Sequence, residues 1–230
     1  VLVALGSETE PAPLTGDDGI QLAVAAFTAR QERLPLVCHL NSSGAPPNGG
    51  VEALHGWGTA ARELQRCSGI VPTIFCVRHT ALAGSALLLG LADIVVMVED
   101  SYAYVSGPRM VQEYTGVPID SRALGGAGLH GRTSGVASVV VPDATTADDV
   151  MAELLSLLPA HVDAPPPFTD TGDPVDRLLP DVGALLPTTI TGSYDVRHVI
   201  EQVVDDGLVT ELRSTWAPNL VTALATIAGR

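Results

Sequence analysis

The sequence predicts an α/β domain built from parallel strands joined by helical crossovers. Two observations carry this. Apolar, β-branched runs alternate with helical-period segments across residues 1–160. Hydrophobic residues make up 46% of 230, enough for a sizeable core in one large domain or in one domain plus part of another.

The elements follow in order. Residues 1–6 (VLVALG) form an apolar strand, and residues 8–18, rich in Pro, Gly and acid, a loop. Residues 20–31 carry Ile20, Ala23, Val24 and Phe27 at helical spacing, with Asp17 and Asp18 at the end of the helix that favours negative charge. LPLVCHL is a buried strand and NSSGAPPNGG a long turn. A helix over residues 51–66 leads to the strand GIVPTIFCV. A turn of small residues then opens a helix that ends near Leu91. DIVVMVE and AYVSG are strands, residues 108–114 a short helix, GVASVVVPD a strand and residues 146–158 a helix. Composition shifts at residues 161–193, where Pro, Gly and Asp mark a linker. Residues 194–230 hold one helix and two strand-like runs, too little to build a core alone.

Composition excludes several functions. The net charge of −14 disfavours nucleic acid and anionic membranes as partners. All twelve basic residues are Arg, so this chain has no P-loop lysine, no Schiff-base lysine and no biotinyl-lysine. Cys38, Cys67 and Cys76 lie apart in apolar surroundings without a CxxC pair. Buried free thiols in a reducing cytoplasm are expected, with no metal centre. The uncharged run at residues 81–92 is shorter than the roughly 20 residues a membrane helix needs, and Asp93 cuts it. The opening apolar run ends at Leu5 without a basic n-region, so no signal peptide is expected.

Two turns could hold chemistry. In TALAGSALLLGL, Ala83, Gly84 and Ser85 join a strand to a helix. Small side chains admit a ligand to the backbone, and the first amides of a helix lack internal partners. Such a turn suits an anion or a thioester oxygen becoming an enolate; it equally suits tight helix packing. Ser43 and Gly44 leave the strand LPLVCHL in a similar way, and an ordinary solvent loop explains them as well. Of the six histidines, none stands at metal-ligand spacing, and His130, among glycines in LGGAGLHGRTSGV, best suits a cleft. Ser85 sits in no GxSxG elbow.

The stretch SGPRMVQEYTGVPIDSRALGGAGLHGRTSGVAS resembles the signature region of the carboxyltransferase (beta) subunit of biotin-dependent acyl-CoA carboxylases, of the acetyl-/propionyl-CoA type. Gly107, Pro108, Thr115, Gly116, Leu124, Gly125, Gly126, His130, Ser134, Gly135 and Val136 carry the likeness. DDVMAELLSLLP, YDVRHVIEQVVDDG and WAPNLVTALATIAGR extend it. The resemblance implies a crotonase-like spiral of ββα units. Residues 1–160 would be the N-terminal carboxyltransferase domain without its first strands, residues 161–193 the linker, and residues 194–230 the start of the second half. It implies an oxyanion hole from Ala83 and Gly84 with Ser43 and Gly44. It implies substrate contacts at Ser85, Gly107, Pro108, Gly125, Gly126 and His130. CO2 would pass from carboxybiotin to the α-carbon of a short-chain acyl-CoA through an enolate. The biotin would ride on a separate chain, the partners being a biotin carboxylase and biotin carboxyl carrier subunit and further copies of this chain, by likeness a hexamer. Two departures stand out. Ala83 replaces a common glycine, and its N–H serves only if its φ is negative. Pro46 and Pro47 remove two amides from the first turn, where an arginine is usual. The same hole could serve a biotin-independent malonyl- or methylmalonyl-CoA decarboxylase. The rebuilt loop could also belong to a non-catalytic structural paralogue in a carboxylase complex.

Overall fold

The computed structural model describes residues 1–7, 10–174 and 176–230; Glu8 and Thr9 of the expected loop and Val175 of the expected linker lie outside them. Strands β1 (Leu2–Leu5), β3 (Leu36–Gly44), β4 (Thr73–Leu82), β5 (Ile94–Val98) and β7 (Val139–Val141) form a parallel sheet in that order. Two short strands extend its upper end: β2 (Ala12–Pro13) beside β3, and β6 (Tyr102–Tyr104) beside β4. Every pairing in this sheet is parallel, as the strand–helix alternation predicts.

Both sheet faces are covered, so the strands are apolar on both sides. Cys38, Leu40, Phe75, Val77, Val95 and Met97 face helices α1 (Gly16–Glu32) and α2 (Gly50–Cys67). Val37, Ile74, Cys76 and Val96 face α7 (Ala144–Leu157). Helix α1 starts four residues before the apolar period because Thr15 and Asp18 make a capping box. The two helices α1 and α2 cross closely; a Cβ at Gly56 would lie 2.2 Å from the Gly16 carbonyl oxygen.

Two expected turns prove to be strand. Pairing in β3 continues through Gly44, and in β4 through Leu82. Several polar groups there find partners within the sheet, although Asn41 Oδ1 has none among the described residues. Asn41 Nδ2 donates to the Ser7 carbonyl at 2.7 Å, and Thr80 Oγ1 to the Ser42 carbonyl at 2.9 Å. Polar composition signals a turn only when those groups have no partner in the sheet. A register shift between Leu40 and Ser42 bends the end of β3 towards the site.

Beyond β4 the chain forms α3 (Gly84–Leu88), a 3-10 turn (Leu89–Leu91), β5 and β6. Then come α4 (Pro108–Thr115), α5 (Ser121–Gly125), α6 (Ala127–Leu129) and a π turn (His130–Ser134). After α7 there follow α8 (Val182–Leu185), α9 (Val196–Val203) and a hairpin of β8 (Thr210–Leu212) and β9 (Thr222–Leu224). Among the described residues no helix is long and apolar enough to cross a membrane.

Candidate active site

The two turns singled out in the sequence meet at the upper end of the sheet. Ser42 pairs with Ala81 across β3 and β4. A Cβ added to Gly44 would lie 3.4 Å from the Ala83 Cβ and 3.6 Å from the Leu82 carbonyl oxygen. Gly44 holds φ at +97°, which lets β3 turn away beside Ala83 without a side chain between them.

Ala83 departs from the sequence expectation. Its φ is +58° with ψ −124°, not negative. Those dihedrals belong to the first central position of a type II′ turn, normally glycine's, and cost an L-residue about 1–3 kcal/mol. Its N–H is also engaged, donating to the Tyr104 carbonyl at 3.0 Å. Gly44 N–H is likewise turned inward, to the Ser42 hydroxyl at 3.0 Å. The amides one residue further on, Ala45 and Gly84, have no acceptor among the described residues, and neither has that of Ser85. Sequence reasoning named Gly84, and on the other turn it chose Ser43 and Gly44 over Ala45. The available signal was that Ala45 is the last residue of its turn to keep an N–H before Pro46 and Pro47. The helix after Gly84 spans five residues, not the eight or so expected, so the individual amides matter here more than a macrodipole.

The remaining expected site residues brace this turn. Ser85 is buried, and its hydroxyl donates to the Leu82 carbonyl at 2.8 Å. Strand β6 ties the turn to the signature region. Tyr104 receives Ala83 N–H, and Ala103 O lies 2.8 Å from His130 Nε2. A carbonyl only accepts, so Nε2 carries the proton and Nδ1 accepts from the Ser134 hydroxyl at 2.8 Å. Both ring nitrogens of His130 are thus committed to the scaffold. Gly125 and Gly126 permit the close approach beneath β6; a Cβ on Gly125 would lie 2.1 Å from Ala103 O. Gly126 also bridges to Tyr102. Gly107 caps α4, with Pro108 at its first position, and lies against the Tyr104 ring. Ser43 is exposed at the end of β3.

The cysteines are not poised as nucleophiles. Burial pushes the Cys38 thiol far up and the Cys76 thiol to about 11, and it also raises Cys67. Among the described residues no group of three or more His, Cys, Asp or Glu could hold a metal ion. What the site presents is backbone: two unengaged amides on adjoining turns, held by a braced sheet edge. That arrangement can bind an oxygen as it gains negative charge.

Comparison with known proteins places the chain in a family. The carboxyl transferase domain profile matches residues 11–230. The beta6 subunit of a biotin-dependent acetyl-/propionyl-coenzyme A carboxylase from Mycobacterium tuberculosis is 34% identical over 219 residues, covering 94% of this chain and 45% of its own. The propionyl-CoA carboxylase beta chain of Rhodococcus erythropolis is 32% identical over 220 residues, with the same two coverages. The chain therefore spans less than half the length of these relatives. The crystal structure of transcarboxylase 12S, described as a hexamer and a multienzyme core with hydrolysed methylmalonyl-coenzyme A bound, superposes with a TM-score of 0.90 at 27% identity, covering 94% of this chain and 42% of that one. The likeness bears out the crotonase-like α/β fold, and this chain belongs to the carboxyl transferase domain family.

Proposed function

We propose that the chain carries the acyl-thioester side of a biotin-dependent acyl-CoA carboxyltransferase. The observation that carries the reading is the pair of unengaged amides, Ala45 and Gly84, on two turns in contact at Gly44 and Ala83. A thioester carbonyl seated between them would have its oxygen facing two N–H donors. Loss of the α-proton moves charge onto that oxygen, and the donors stabilise the enolate by about 3 kcal/mol each. The α-carbon then attacks CO2. Carboxybiotin, presented by a carrier, supplies the CO2 and a base. With no lysine to bear biotin, this chain relies on a separate carrier domain or subunit. The chain's own part is to bind the thioester, orient it and hold the developing charge. Substrate contacts at Ser43 and along Gly107 and Pro108, and assembly with further copies of the chain, belong to the same proposal.

The test mixes the protein with biotin carboxylase, a biotinylated carrier, ATP and labelled bicarbonate. Label fixed on propionyl- or acetyl-CoA supports the reading. Acyl-CoA binding by calorimetry without fixed label on any short acyl-CoA overturns it. Release of CO2 from methylmalonyl-CoA without biotin would point instead to a decarboxylase, and absence of acyl-CoA binding to a structural role.

A further inference from the structure

We infer that Trp57 is a positioning residue for the Gly84 amide; the inference rests on the function proposed above. Trp57 lies on α2 and is 8% exposed. A Cβ at Gly84 would sit 3.4 Å from the indole Cγ and 3.6 Å from Cδ1 and Cδ2, so the side-chain face of Gly84 looks onto the five-membered part of the ring with room for no more than a methyl group between. The indole N–H is buried and has no hydrogen-bond partner among the described residues. Within the described residues the ring therefore acts on Gly84 through its shape and not through a bonded N–H.

The turn needs such a backstop. Ala83 occupies a conformation that persists only when its surroundings over-determine it. Two hydrogen bonds hold the residues flanking Gly84: Ala83 N–H to Tyr104 O, and the Ser85 hydroxyl to Leu82 O. The indole backs Gly84 itself. Without a rigid plane there, the peptide can rock about its fixed neighbours and its N–H loses its aim. A misplacement of about 1 Å costs on the order of a hundredfold in rate.

The experiment compares the parent with W57F, W57L and W57M in the labelled-bicarbonate assay, and follows the Gly84 amide order parameter by NMR relaxation. W57F keeps a flat ring and forfeits no bond, so its kcat stays within about twofold of the parent. W57L and W57M drop kcat about 10- to 100-fold, with KM for acyl-CoA within about twofold, and lower the Gly84 order parameter. W57M answers should W57L fail to fold, because its unbranched chain fills irregular space. Unchanged kcat in the aliphatic variants overturns the inference. So does a loss in all three variants that tracks their melting temperatures. A parent that transfers no label defeats the proposed function instead. The Gly84 order parameter then decides this point alone: lower in the aliphatic variants only supports the platform, and equal in all overturns it.

Discussion

At the scale of single residues, one position on each turn decides what the site can do. Ala45 and Gly84 offer their amides because Gly44 and Ala83 have spent theirs on Ser42 and Tyr104. Replacing Ala45 with proline removes one donor from a loop that already carries Pro46 and Pro47. The expected outcome in the transfer assay is a fall in kcat of about 10²–10³-fold, with an unchanged melting curve. Ala45→Ser, which keeps the N–H, leaves kcat as it was. Ala83 makes a separate prediction about stability. Glycine there relieves strain of about 1–3 kcal/mol and returns about 0.4–1 kcal/mol to the unfolded chain as entropy. The strain term is the larger, so Ala83→Gly raises stability by about 1 kcal/mol, or roughly 2–4 °C in Tm. A calorimetric scan checks it, and a lower Tm would mean that the positive φ at Ala83 carries no strain. The sequence singled out both turns and named Gly84, but on the other turn it took Gly44 rather than Ala45, since side-chain size shows where a backbone is accessible and says nothing of which way each N–H turns.

At the scale of elements, the alternation of strand and helix was legible because a parallel sheet buried on both faces leaves long apolar runs between amphipathic helices. The ends of the strands were not. Asn41, Ser42, Ser43 and Thr80 have turn-like composition, yet they lie within β3 and β4, where Asn41 Nδ2 and Thr80 Oγ1 meet carbonyls and Ser42 Oγ meets an amide. The role of β6 was hidden for a related reason. Three residues long, it matters through what it touches: Ala83 on one side, and His130, Gly125 and Gly126 on the other. The signature glycines thus act through packing. Two substitutions separate packing from helix propensity. A Cβ at Gly125 collides with Ala103 O at 2.1 Å, so Gly125→Ala must push β6 away; a loss of about 2 kcal/mol or more is expected. Gly58 is exposed within α2, with nothing inside 4 Å of its Cβ site. Gly58→Ala therefore stabilises by about 0.5–1 kcal/mol. Urea denaturation of the two variants shows opposite shifts in midpoint; a Gly125→Ala midpoint at or above the parent's refutes the role of β6 as a tightly packed brace.

At the scale of the whole molecule, the last residues fold onto the domain they follow. Arg213 N–H donates to Ser138 O at 2.7 Å, its Nε to Gly135 O at 2.9 Å, and Thr215 Oγ1 to Gly131 O at 3.0 Å. The Trp216 ring closes over Gly135, while Leu212 and Leu224 pack on the α7 face of the core. Residues expected to be too few for a core of their own share that of the sheet. Asp205 fastens the very end. It is 4% exposed and accepts N–H bonds from Gly229 at 2.7 Å and Ala228 at 2.9 Å, while its own N–H donates to Thr226 O. The Gly229 bond above all, and then the Ala228 bond, holds its carboxyl below the usual carboxylate range, although burial pushes the other way. The sign follows from linkage. A carboxylate whose pKa is depressed by folding stabilises the fold above its ordinary pKa of about 4, and that contribution fades as pH falls through the lower folded value. The end of the chain should therefore be clamped at neutral pH and loosen in acid. Amide exchange at Ala228 and Gly229, corrected for intrinsic rate at each pH, is expected to show protection at pH 6 that declines below pH 4. In Asp205→Asn protection is lower at pH 6 and does not decline with acid. A parent whose protection holds level from pH 6 to pH 2.5 would show that the carboxylate charge plays no part in seating the tail.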